Sequence, residues 1–237
     1  MKGLSRVAMA AMLALAGCQG DEDPAGSMSA ADRAASRQLQ AGYELARGQG
    51  DWIGAEARAD ELRQRFPDSD AEQAIAPSLG EVRKHADALR EARRLREAWS
   101  YQSSAVDGGA QRTATLYSRT PPAEDGIPAI TPDAQLVLRD HPAWGRSVYL
   151  LLAQSHFTCP SPCAVQVAFD GGQATRFAGK QADSGKGPAL FIEDDAAFLK
   201  AMDAASEVKI VLPEGSGAVR TLVFEVGGFD PGRYARP

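Results

Sequence analysis

The sequence is poor in the side chains that most often carry chemistry. Its 237 residues include three cysteines, three histidines and 7% aromatics. Its longest early apolar run, Val7 to Leu15, is far short of the about 20 residues a membrane-crossing helix needs. There is no basic excess either: 26 Lys and Arg stand against 31 Asp and Glu, for a formal charge of −5. A nucleic-acid binder needs a basic face to displace counterions from phosphate, so nucleic acid is not an expected partner. No GxSxG, HExxH or P-loop stretch occurs. His85 lies in a charged helical stretch, His141 precedes a proline and His156 precedes a cysteine loop, none of them in a nucleophile–base pattern. No catalytic residue, cofactor or metal ligand is therefore expected. A carboxylate pair brought together only by folding would leave no such trace, so an enzyme remains the alternative.

What is present begins at the amino terminus. Lys2 and Arg6 precede the nine apolar residues "VAMAAMLAL", the proportions of a signal-peptide apolar region. The next residues, Leu15-Ala16-Gly17-Cys18, resemble the bacterial lipoprotein box. That resemblance implies cleavage after residue 17, diacylation of the Cys18 sulfur and acylation of its new amino group. Each buried CH₂ is worth about 0.8 kcal/mol, and more than one chain holds a protein firmly on a bilayer. Gln19 in place of Asp, by the same resemblance, favours the outer membrane, with the body facing the periplasm.

With Cys18 lipidated, Cys159 and Cys163 are left, and close thiols in an oxidising compartment pair. Two other readings of "HFTCPSPCAVQVAF" stay open: a metal site of His156, Cys159 and Cys163, or a redox couple. A redox cysteine is usually activated at a helix start, whereas "AVQVAF" alternates as a strand does. Pro160 and Pro162 stiffen the loop, and Cys163 shares a strand face with Val165, Val167 and Phe169. A structural disulfide fits these features best.

Residues 18–28 carry the acylated cysteine and an acidic, Gly/Pro-bearing leash. Residues 29–99 have helical periodicity. Ser29 and Asp51 suit helix caps, Ala55, Ala59, Leu62 and Phe66 recur at helical spacing, and a third helix is expected from Ser78 to Trp99. "GDWIGAEARADELRQRFPDS" resembles one tetratricopeptide-type repeat, which cannot bury its face alone. "RKHADALREARRLRE" interleaves acids with its arginines, including an i,i+4 Arg93–Glu97 pair, and reads as a solvated face.

From residue 100 the period becomes two. "QRTATLYSR", "AQLVLRD", the longer apolar "RSVYLLLAQSHF", "AVQVAF", "QATRFAG", "EVKIVLP" and "AVRTLVFEV" give at least seven strands, and Phe198, Leu199 and Met202 mark one helix after the acids of "IEDDAAF". The proline-rich "TPPAEDGIPAITPD" reads as a spacer loop. In "DHPAWGR" a hairpin turn with a packed Trp144 is expected, the alternative being a surface recognition tip of His141 and Trp144. The expected class is α+β: a tetratricopeptide-like helical module over 29–99, then an antiparallel β-rich domain with one packed helix over 100–237.

Over residues 99–230, "AWSYQSS", "QLVLRDHPAWGRSVYLL", "VAFDGG", "LFIEDDAAFLKAM" and "LVFEVGGFD" occur in an order that resembles accessory proteins associated with type VI secretion. The proline-rich insertion and the helical module depart from that pattern. The resemblance implies a non-catalytic envelope role and carries over no catalytic residue. The expectation is a lipid-anchored protein on the periplasmic face of the outer membrane, binding or scaffolding an envelope protein, with the concave side of the helical module as its contact surface. The alternatives are a periplasmic enzyme acting on an envelope polymer and a metal or redox carrier using the Cys159–Cys163 loop.

Overall fold

The computed structural model describes residues 28–119, 134–152, 159, 162–181, 188–213 and 219–234. Cys18, the leash before Met28, the proline-rich stretch and His156 lie outside the described residues. The protein is α+β, with helices followed by an antiparallel sheet. It forms two compact units, residues 1–83 and 84–237, which divide inside the third helix.

In the first unit α1 spans Ala30–Gly48, capped by Ser29, whose hydroxyl accepts from the Asp32 N–H. α2 spans Trp52–Arg65, capped by Asp51, which accepts from the Gly54 N–H. Each cap satisfies a donor that the helix itself cannot. Tyr43, Ala46, Ala55, Ala59, Leu62, Ile75, Leu79 and Val82 close one core. The fully buried Tyr43 keeps its hydroxyl satisfied on Ser78 Oγ at 2.7 Å.

The third helix, α3, spans Asp70–Ala98, so its expected start at Ser78 is corrected. Ser69 Oγ accepts from the Glu72 N–H while the Glu72 carboxylate accepts from the Asp68 N–H, a close variant of the capping box. Pro77 sits inside the helix on its exposed side. An interior proline costs roughly 3 kcal/mol. Burial of Ile75, Leu79 and Val82, each worth about 1.5–3 kcal/mol, outweighs it.

The second unit holds the rest of α3 and nine strands: β1 Ser100–Val106, β2 Gly109–Tyr117, β3 Ala134–His141, β4 Gly145–Leu152, β5 Cys163–Phe169, β6 Thr175–Gln181, β7 Ala189–Ile192, β8 Val208–Pro213 and β9 Val219–Phe224. The order across the sheet is β1-β2-β3-β4-β7-β6-β5-β8-β9, and every pairing is antiparallel. Alternate residues of β2 through β9 enter a single core, for example Leu136 and Leu138, Val148 and Leu150, Val165 and Val167, Ile210 and Leu212. The sheet curls back on itself: just past β2, the Arg119 N–H donates to the Val223 carbonyl on β9. α4 (Asp195–Asp203) drives Phe198 and Met202 into this core, and α5 (Pro231–Tyr234) adds Tyr234.

Within this unit the end of α3 is held by a close backbone contact. Trp99 is buried, with its indole N–H on the Val226 carbonyl. Gly228 has φ +78°, and a Cβ there would lie 2.6 Å from the Arg96 nitrogen. Only glycine meets both demands. Among the described residues the expected Arg93–Glu97 pair does not form. Arg94 is the bridging arginine instead, joining Glu91 at 2.6 Å and Glu225 at 2.9 Å.

Candidate functional site

The turn between β3 and β4 builds the most conspicuous surface feature. His141 ends β3, Gly145 opens β4 with φ +73°, and between them the chain presents Trp144 at 70% exposure. The expected hairpin turn is there, but Trp144 packs into no core. Its indole stacks on the buried His141 imidazole, centroids 3.8 Å apart and planes at 13°. His141 is itself oriented, because its Nδ1 accepts from the Ala143 N–H at 3.1 Å. An accepting Nδ1 leaves a neutral ring's proton on Nε2.

Behind the turn, residues of β3, β4 and β7 that point away from the core extend this stack into a ridge. The Arg139 guanidinium carbon lies 5.3 Å from the Trp144 ring centroid and 5.5 Å from that of Tyr149, within cation–π range of both. Arg139 Nε also donates to Ser147 Oγ at 3.2 Å. Tyr149 in turn meets Phe191 with centroids 5.0 Å apart. Burial pushes the Tyr149 phenol pKa up, and the Arg139 charge partly opposes that. The result is a row of aromatic and cationic groups, fixed by strand register and ending in an exposed indole. Large, rigid side chains of this kind lose little conformational entropy on docking.

Below the ridge Tyr234 donates its hydroxyl proton to the Arg139 carbonyl at 3.2 Å. Burial, and then the Asp140 charge, raises its pKa far above the ordinary phenol value, so the proton stays in place. This tyrosine holds the backbone that carries Arg139. Asp170, in a left-handed conformation (φ 49°), accepts from the Ser206 and Glu207 N–H groups at 2.8 and 2.9 Å. Asp194 caps α4 through the Ala197 N–H. Asp170 of "VAFDGG" and Asp194 of "IEDDAAF" thus have structural employment.

Cys159 and Cys163 are joined in a disulfide, with Cα atoms 5.1 Å apart. Cys159 is buried, and Cys163 packs against the core beside Val165. Gly179, paired with Cys163 across the β5–β6 ladder, makes room for the bond. A Cβ at Gly179 would stand 2.8 Å from Val165 Cγ2 and 2.9 Å from Cys163 Sγ. Neither sulfur is a thiolate here, so His156, Cys159 and Cys163 are not a ready ligand set. No group of three or more His, Cys, Asp or Glu side chains positioned for a metal occurs among the described residues. His85 is exposed on α3.

The helical unit has its own groove, of about 620 Å³, lined by Leu39, Gly42, Leu45, Arg58 and Arg65. Leu45 there is 62% exposed. No helix among the described residues is long and apolar enough to cross a membrane.

No family model matches the chain, and no curated protein matches it. Solved structures similar to it include invasion associated protein B from Bartonella henselae, at 15% identity and a TM-score of 0.37. That similarity covers 56% of this chain and 85% of the other.

Proposed function

We propose that this protein is a periplasm-facing lipoprotein of the outer membrane that binds a protein partner of the cell envelope and does no chemistry of its own. Acylation at Cys18 and the leash behind it restrict the body to a thin layer along the membrane, so contacts of modest affinity suffice for engagement. The helical unit is a tetratricopeptide-like hairpin completed by α3. The observation that carries the binding role is the ridge of Trp144, His141, Arg139 and Tyr149, an exposed indole backed by a fixed cation. Trp and Arg dominate the energetics of protein interfaces when they sit on rigid supports. The groove of the helical unit is a second contact position on this reading, since a single repeat of that kind leaves one face to be covered.

The test is photo-crosslinking in cells from an amino acid placed at 144, with a second probe in the helical groove at 45. A discrete protein adduct at 144, lost in an Arg139→Glu background, is the expected result. Absence of any protein adduct at both positions removes the binding role. Mass analysis of the membrane fraction checks the anchor independently: an amino-terminal peptide with unmodified Cys18 excludes it.

A further inference from the structure

A cleft opens where β4 and β7 part company. Their ladder ends at Val148↔Ile192, after which the chain leaves β7 for the Asp194 cap of α4. β4 continues on the other side through Ser147 and Arg146, still paired to β3 at Arg139 and Asp140 but with no strand partner on its second edge among the described residues. The gap has a volume of about 420 Å³, within the range of small-molecule sites. Arg146, Ser147, Lys180, Phe191, Glu193 and Asp195 line it.

Two cations and two anions in so small a space constrain what can enter. A ligand of one sign meets repulsion as well as attraction. A ligand carrying both signs, spaced apart, can place each end against its opposite. Arg146 and Glu193 are both exposed on the cleft walls. Ser147 Oγ accepts from Arg139, which turns its own O–H toward donation. The edge of β4 at these two residues offers backbone groups to an extended chain, as in strand addition. Phe191, braced by Tyr149, supplies an aromatic floor.

We propose that this cleft binds a short zwitterionic peptide, its free carboxylate set against Arg146 and Lys180 and its ammonium against Glu193 and Asp195. The binding chemistry stands on the cleft alone, whereas the source of the peptides rests on the envelope location proposed above: exported proteins and wall polymers both release peptides with these two end charges.

The experiment is calorimetric titration of the mature full-length protein with tri-L-alanine, with the same peptide acetylated and amidated at its ends, and with a tripeptide ending in D-Ala-D-Ala. Binding of a free-ended peptide below about 1 mM is expected, weakened at least about tenfold by blocking either end. The charge removals Arg146→Gln and Glu193→Gln should each cause a comparable loss, with an unfolding midpoint matching that of the unsubstituted protein showing that each variant is folded. The relative affinities of the L- and D-terminated peptides separate the two sources. Equal affinity for the doubly blocked peptide, undiminished binding by both variants, or no binding of any free-ended peptide overturns the proposal.

Discussion

The two units close their interiors with different materials. Among the described residues, four of the nine buried members of the helical unit's apolar cluster are alanines: Ala46, Ala55, Ala59 and Ala71. In the β unit's cluster only three of twenty-five described members are alanines, and Leu, Val, Ile and Phe dominate. Helices gain close approach from small side chains, whereas a curled sheet has an interior that only large ones fill. Stability in the first unit therefore depends on the distance between helix backbones. In the second it depends on apolar volume.

The sharpest way to break the comparison is to remove volume from the β unit. Phe198 is fully buried, with edge contacts to Phe169 and Phe177 at centroid distances of 5.7 and 5.9 Å. Phe198→Ala should cost about 3–5 kcal/mol in denaturant unfolding followed by near-ultraviolet circular dichroism. The helical transition should stay where it was. A matching fall in both would mean that the two units do not unfold separately.

The converse substitution adds volume where there is none to spare. Ala59 is 2% exposed among Leu62, Tyr43 and Ile75 in the helical core. Ala59→Leu should cost about 1–3 kcal/mol and lower only the helical transition. Neutrality at this position would show that the helices can separate without loss, contrary to the close-approach reading.

How much of this was legible follows the same division. Ala55, Ala59, Leu62 and Phe66 repeat at helical spacing and are buried, and the alternating strands from residue 109 onward lie where period two placed them. β1 escaped because its seven residues carry no inward stripe: Tyr101 and Val106 are half-buried and the rest exposed. Hydrogen-bond register with β2 holds it, and register leaves no apolar pattern. The start of α3 carries a capping pattern in Ser69-Asp70-Ala71-Glu72, upstream of Pro77, whereas the apolar stripe alone begins only near Ser78. Leu89 shows the limit of periodicity: it stands at helical spacing from the buried Val82 and Ala86 yet is 46% exposed. As for the ridge, "DHPAWGR" located its tip, but Tyr149 and Phe191 come from strands distant in sequence and meet only through sheet order.

A smaller effect separates the staple from the core it touches. The disulfide closes a loop of five residues, for which chain-entropy reasoning gives roughly 2 kcal/mol, less what Pro160 and Pro162 already remove. Cys159→Ser with Cys163→Ser should lower the β-unit transition by no more than that and leave the helical one alone. Two titratable thiols in the unreduced, denatured protein would show that the bond does not form. Gly179→Ala should cost at least as much as losing the bond, because its Cβ meets Val165 as well as the sulfur.

The smallest expected effect lies on the surface, where α3, β9 and the segment after β2 exchange charge within the β unit. Glu225 accepts from Arg94 at 2.9 Å and from Arg119 at 2.6 Å, and these bonds hold its carboxyl below the usual carboxylate range against a partial desolvation cost. A carboxylate with a lowered folded-state pKa binds its proton less readily folded than unfolded. Its contribution to stability is therefore complete above the unfolded value, near 4.5, and is lost as pH falls through the folded one. Arg94 and Arg119 are half exposed, so water and salt screen the network. The unfolding midpoint of the β unit should dip slightly more steeply below about pH 4.5 than that of Glu225→Gln, and the difference should vanish in about 1 M salt. The helical unit's midpoint should show no such dependence on residue 225. If Glu225→Gln instead lowers the β-unit midpoint equally at pH 4 and pH 7, the side chain acts there by packing, and its charge contributes nothing.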